Sequence, residues 1–213
     1  MAAPQSMSAW WESVTEDSTA EYASRNNYNI LRFLKQVYLD GVQLFTFKLL
    51  LVGEGGGGKT QLANQLRGAP FAEGASMTNG IATSQVQLEG AGGARLVSYV
   101  WDCGGQEPFQ HTHSIFFTQR RTVFAAVYNL RLAQGCALLH SYLHAVHAYA
   151  PTAPVLLVGT HLDQGTGEDA AAVADLKKRF PQIVGTTVAV SSLDDTNMDV
   201  LRAAVVPLAT APM

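Results

Sequence analysis

The segment Gly53-Glu54-Gly55-Gly56-Gly57-Gly58-Lys59-Thr60 fits the pattern G-x-x-x-x-G-K-[ST]. It follows an apolar run, Leu44–Val52, and opens a helix-compatible stretch, Lys59–Arg67, which is the context in which this pattern holds phosphate groups. A polyphosphate carries several negative charges that many donors must meet at close range. Glycines let successive backbone N–H groups turn inward without a side-chain clash. The helix N-terminus adds partial positive charge. Lys59 is placed to reach the β- and γ-phosphates and the Thr60 hydroxyl to bind Mg²⁺, with Gln61 beside them. Glu54 departs in kind, because a carboxylate beside phosphates has to face solvent.

Two further segments extend this chemistry. Trp101-Asp102-Cys103-Gly104-Gly105-Gln106-Glu107 closes an apolar strand. An Asp at such a strand end can hold Mg²⁺ through a water, Gly105 can offer its N–H to a γ-phosphate, and Gln106 can align an attacking water. Thr78, in Met77-Thr78-Asn79-Gly80-Ile81, is placed to close over the γ-phosphate and complete the metal shell. Thr83 competes with it but falls within a strand. Val155–Gly159 then ends in Thr160-His161-Leu162-Asp163. A carboxylate here accepts from the N1–H and N2 amine of guanine. Adenine would leave it unpaired, at a cost that grows with burial, which makes Asp163 the base-selecting residue. Ser191-Ser192, after the last strand, can supply contacts on the guanine O6 side.

These residues need a scaffold, and the pattern of the chain predicts one. Strands are expected at Leu44–Val52, Ile81–Leu88, Arg95–Trp101, Thr122–Leu130, Val155–Gly159 and Thr186–Val190, with helices near 134–149, 168–180 and 197–207. Gly90-Ala91-Gly92-Gly93 joins the second and third strands as a hairpin connection. Strand–helix alternation of this kind predicts a three-layer α/β domain with a six-stranded, mainly parallel sheet and helices on both faces. Ahead of it, residues 1–26 are polar and small, and 27–43 carry Tyr28, Leu31, Leu34 and Tyr38 at helical spacing, an amphipathic lead-in helix. The predicted domain spans 44–213.

Composition narrows the class further. A formal net charge of −3 and a pI near 6.0 lack the electrostatic footprint of a nucleic-acid binder. Two cysteines far apart in sequence, Cys103 and Cys136, define no disulfide framework and fit a reducing, cytoplasmic setting. No apolar run approaches the length that spans a bilayer. His140, His144 and His147 share one helix face, read as a partly exposed surface rather than a metal set. Cys103 is read as a small packing residue and Trp101 as core.

Taken together, the phosphate loop, Thr78-x-Gly80-Ile81, Trp101-Asp102 through Gly105-Gln106-Glu107, Phe109, Thr112-His113, Phe116, Thr118-Gln119-Arg120 and the T-H-x-D at 160–163 resemble the Roc domain. That domain is the Ras-like GTPase module of Roco proteins, which include the leucine-rich-repeat kinases. The likeness covers about Asn27 to Pro207. It implies a P-loop NTPase fold of Ras type and GTP and GDP as ligands with Mg²⁺; no arginine in the sequence stands out as a finger in cis, so hydrolysis of GTP is expected to be slow without a partner. It also implies a protein effector or regulator, a homodimer as in other Roc domains, and a place in intracellular signalling. A second reading keeps nucleotide binding but makes the domain a protein-interaction module with negligible turnover. Roc domains are normally followed by a COR domain, whereas this chain carries the Roc-like part.

Overall fold

The computed structural model describes residues 45–74, 78–90, 93–104, 117–165 and 170–211. The expected N-terminal segment and lead-in helix lie outside the described residues. So do Gly105, Gln106 and the rest of 105–116.

The six strands are β1 (Phe45–Val52), β2 (Ile81–Glu89), β3 (Arg95–Cys103), β4 (Thr122–Asn129), β5 (Val155–Thr160) and β6 (Val188–Ala189). They form one sheet in the order β2-β3-β1-β4-β5-β6. Only β2 is antiparallel, paired with β3 from Ile81↔Cys103 to Glu89↔Arg95; all other neighbours are parallel. Among the described residues, four helices follow strands: α1 (Lys59–Leu66), α2 (His140–Tyr149), α3 (Ala170–Arg179) and α4 (Met198–Thr210).

The layering follows from period-two alternation. In β1, Phe47, Leu49 and Leu51 face one core, with Leu62 and Leu66 of α1 and Met198, Leu201 and Val205 of α4. Leu50 and Val52 face the other, with Leu143 and Val146 of α2 and Val173 and Leu176 of α3. Covered on both faces, β4 and β5 are buried along their whole length, as apolar strands of a parallel sheet must be. The edge strand β2 buries only Val86 and Leu88 and alternates with exposed residues. Truncating a fully buried side chain such as Leu62 to Ala would cost about 2–5 kcal/mol.

Three boundaries differ from the expectation. The last strand pairs only at Val188–Ala189 rather than over Thr186–Val190. A left-handed turn at Gly185 (φ 71°) separates it from the single bridge Val155↔Ile183. The helix expected from residue 134 starts at His140, after a 3-10 turn at Ala137–Leu139. A tight bend at Gly135 holds it back: a Cβ there would lie 2.4 Å from the Asn129 carbonyl oxygen. The last helix runs on through Pro207 to Thr210, whose hydroxyl donates to the Val206 carbonyl at 3.1 Å. Among the described residues no helix is long and apolar enough to cross a membrane.

Strand order reverses at β1, which leaves a crevice over the carboxyl ends of β1, β3, β4 and β5. Open α/β sheets bind ligands in such a crevice.

Candidate functional site

The loop that leaves β1 is shaped by contacts that only glycine permits. Gly53 has φ 140°, and a Cβ on it would sit 2.1 Å from the Val127 carbonyl oxygen. The loop therefore lies directly on β4. Gly58 takes φ 83° and forms the N-cap of α1, and Leu62 N–H donates to its carbonyl at 2.9 Å. Gly57 N–H closes the turn on the Glu54 carbonyl at 3.2 Å. The backbone of Glu54 is thus part of the loop frame, and its residue is partly exposed.

Lys59, the first residue of α1, is 5% exposed. Its ammonium donates to the carbonyl oxygens of Gly53 at 2.8 Å and Glu54 at 2.7 Å. Burial lowers its pKa, and the Asp102 carboxylate acts in the opposite direction. The loop thus carries a fixed cation across its mouth. Gln61, by contrast, turns its amide to the backbone of Ala72 and braces the segment after α1.

Three oxygens converge beside the lysine. Thr60 Oγ1 donates to Asp102 Oδ2 at 2.7 Å and Thr78 Oγ1 donates to the same oxygen at 2.8 Å. The two hydroxyl oxygens are 2.8 Å apart. Asp102 is 3% exposed, and its Oδ1 has no hydrogen-bond partner among the described residues. A buried carboxylate oxygen without a partner is costly. Two hydroxyls and a carboxylate are the hard oxygen donors that suit Mg²⁺, so the residues fit that ion. Thr83, the competing threonine, lies in β2 with an exposed side chain. A Cβ on Gly104 would meet the Thr78 carbonyl oxygen at 2.5 Å, which holds the end of β3 tightly against the Thr78 segment. Next to Asp102, burial first and then that carboxylate push the Cys103 thiol up to about 12, so it stays a neutral packing group.

The end of β5 forms the other half of the crevice. Thr160 is buried, and its hydroxyl donates to the carbonyl oxygens of Gly57 at 2.7 Å and Tyr128 at 3.0 Å. His161 follows with a left-handed backbone, φ 59°. Its Nε2 is buried without a hydrogen-bond partner among the described residues. Burial lowers the imidazole pKa, helped by the Arg131 guanidinium and opposed by Asp163. Asp163 Oδ1 accepts from Ser191 Oγ at 3.0 Å, and Leu162 N–H donates to the Val190 carbonyl at 3.1 Å. These two bonds lock the 160–163 segment to the loop after β6. Gln65 Nε2 donates to the Ser192 carbonyl at 2.6 Å, and the buried Ser192 Oγ has no hydrogen-bond partner among the described residues.

The structure therefore brings Lys59, Thr60, Thr78 and Asp102 into one cluster, and Thr160, His161, Asp163 and Ser191 into a second, with Gly57 and Gly58 between them. Spacing alone does not reveal the tie between Thr160 and Gly57, because it gives no sign of which lone pair a hydroxyl meets. The histidines of α2 do not join the site. His140, His144 and His147 surround Phe180, with ring centroids 5.7, 5.0 and 6.4 Å away, and His147 Nδ1 is 2.9 Å from Gln182 Oε1. Among the described residues no group of three or more His, Cys, Asp or Glu is placed to hold a metal. Trp101 is partly exposed and lies under the Lys48 ammonium, 4.9 Å from its ring centroid.

The chain is similar to known proteins over the same region. A family model described as "Ras of Complex, Roc, domain of DAPkinase" matches residues 48–163, more than half of the chain. The probable serine/threonine-protein kinase pats1 of Dictyostelium discoideum is 31% identical over 163 residues, which is 67% of this chain and 5% of that protein. The Ras-related protein Rab-25 of Bos taurus is 29% identical over 160 residues, 73% of this chain and 72% of that protein. Among solved structures, the RocCORdC portion of Roco2 from Methanosarcina barkeri, bound to GDP, superposes with a TM-score of 0.62 at 25% identity. The match covers 76% of this chain and 48% of that one. The chain thus spans a small part of the kinase relative and about half of the Roco2 chain.

Proposed function

The chain belongs to the Roc family of Ras-like GTP-binding domains, and we propose that it is a Mg²⁺-dependent switch that binds GTP and GDP and hydrolyses GTP slowly. The observation that carries this reading is the triangle of Thr60, Thr78 and Asp102 oxygens, set beside a lysine that spans a glycine loop. The GDP bound to the Roco2 relative supports the same ligand class.

Each residue has a role in this reading. Backbone N–H groups of Gly55 to Thr60 surround the phosphates, and Lys59 neutralises charge on the β- and γ-groups. Thr60 and Thr78 would hold Mg²⁺, with Asp102 acting on it through a water. The ion supplies charge neutralisation on the transferred phosphoryl. Gly105 steadies the γ-phosphate and Gln106 orients the water that attacks it, so no covalent intermediate is needed. Asp163, held by Ser191, accepts from the N1–H and N2 amine of guanine. Thr78 links the γ-phosphate to the start of β2, so the bound nucleotide sets the surface that a protein partner in signalling reads.

Calorimetric titration with GDP, a non-hydrolysable GTP analogue and ATP, with and without Mg²⁺, tests the reading. Guanine nucleotides are expected to bind tightly and Mg²⁺ to favour the triphosphate. Equal or tighter binding of ATP would overturn the base site. Single-turnover hydrolysis by wild type and Gln106→Leu tests the enzyme part: an unchanged rate in the variant would remove Gln106 from the mechanism.

A further inference from the structure

Thr160 closes β5 with 2% of its surface exposed. Its hydroxyl is 2.7 Å from the Gly57 carbonyl oxygen and 3.0 Å from the Tyr128 carbonyl oxygen, and it donates to both. A threonine hydroxyl has a single proton. Both carbonyls offer only lone pairs, so they share that proton and none is left to point elsewhere. The surroundings are closed as well. A Cβ on Gly58 would lie 3.2 Å from Thr160 Cβ and Oγ1 and 3.4 Å from His161 Nε2. Strand end and phosphate loop are therefore in direct contact.

Guanine presents two edges of opposite character. N1–H and the N2 amine are donors, which a carboxylate such as Asp163 satisfies. N7, on the other edge, is an acceptor and can be read only by a proton donor. At the end of β5 the Thr160 hydroxyl has already committed its proton, and the His161 Nε2 is turned against Gly58. Resting on the guanine-nucleotide reading above, we infer that this domain does not read N7. Thr160 is a positioning residue that pins the phosphate loop to β4 and β5, and base identity is set on the N1 and N2 edge. The ligand class then includes nucleotides of 7-deazaguanine, in which a C–H replaces N7.

The test is competition binding on the full chain in Mg²⁺ with GDP, 7-deaza-GDP and IDP, which lacks the N2 amine. The expected result is 7-deaza-GDP within about twofold of GDP and IDP weaker by roughly tenfold, the worth of one hydrogen bond to a charged group. A loss of about tenfold for 7-deaza-GDP while GDP binds normally would overturn the inference. Absence of GDP binding would instead remove the guanine reading, and the inference with it. Thr160→Ser keeps the hydroxyl and is expected to retain GDP affinity, whereas Thr160→Ala is expected to weaken GDP and 7-deaza-GDP by the same factor. Weakening of GDP alone would show the hydroxyl reading N7. Should Thr160→Ala not fold, Thr160→Ser and the nucleotide series decide the matter.

Discussion

Thr60 Oγ1 and Asp102 Oδ2 lie 2.7 Å apart although 42 positions separate them in the chain. β1 and β3 are parallel neighbours, with Leu51 opposite Asp102, so β3 delivers the Asp102 carboxylate near its carboxyl end to the first turn of α1. Asp102→Asn keeps the shape and removes the charge. It is expected to weaken Mg²⁺ affinity in the nucleotide complex by roughly tenfold or more, the usual effect of a partner that acts through a metal-bound water. GDP affinity in excess chelator should change little. Metal titration of the GTP-analogue complex checks this, and an unchanged Mg²⁺ midpoint would remove Asp102 from the ion.

In the proposed reading Asp163 offers two acceptors to the base, and Ser191 holds one of its oxygens. Asp163→Asn replaces one acceptor with a donor. Xanthine carries a carbonyl where guanine carries the N2 amine, so the variant should prefer xanthosine over guanosine diphosphate, with a loss of roughly a hundredfold for GDP. Retained preference for GDP would place base recognition elsewhere.

Gly53 has no room for a side chain. With φ 140° and a Cβ position 2.1 Å from the Val127 carbonyl oxygen, Gly53→Ala must displace the loop or β4. A cost of about 2 kcal/mol or more is expected, from backbone strain and the clash together. Denaturant unfolding of the nucleotide-free variant measures it, and a change within the error of the method would contradict the described loop path.

His161 gives a pH dependence whose sign follows from its burial. Its folded pKa is lowered, while the unfolded imidazole titrates near about 6.5. Below that value the unfolded chain binds a proton that the folded chain refuses, so stability falls as pH drops until the folded imidazole itself titrates. His161→Asn removes this contribution, and asparagine tolerates the left-handed backbone at this position. Unfolding free energies of wild type and variant should converge as pH falls from about 6.5 toward 5 relative to their gap at neutral pH. Parallel curves would show that the ring is not held neutral.

Much of this arrangement is legible in the order of residues alone. The glycine run before Lys59 can serve little else than close backbone approach, and Gly53 and Gly58 take backbone angles that require it. The apolar strands are equally plain, because β1, β4 and β5 are long and buried on two faces. The ends of elements are less so. β6 shortens because Gly185 turns the chain, and α2 starts late because Gly135 meets Asn129. Composition does not rank such contacts. The roles of individual polar groups are the least legible. Gln61 directly follows the phosphate motif yet braces Ala72, and Thr160 in the T-H-x-D segment holds Gly57. A motif fixes where a side chain begins, whereas its partner depends on which backbone carbonyls the fold brings alongside.

The Thr160 hydroxyl joins segments from three places in the chain: the loop after β1, the end of β4 and the end of β5. Each half keeps its own ties as well, Lys59 to Gly53 and Glu54 on one side and Asp163 to Ser191 on the other. The Thr160 hydroxyl is thus the crosspiece of the crevice: one side chain sets how far apart its two walls stand.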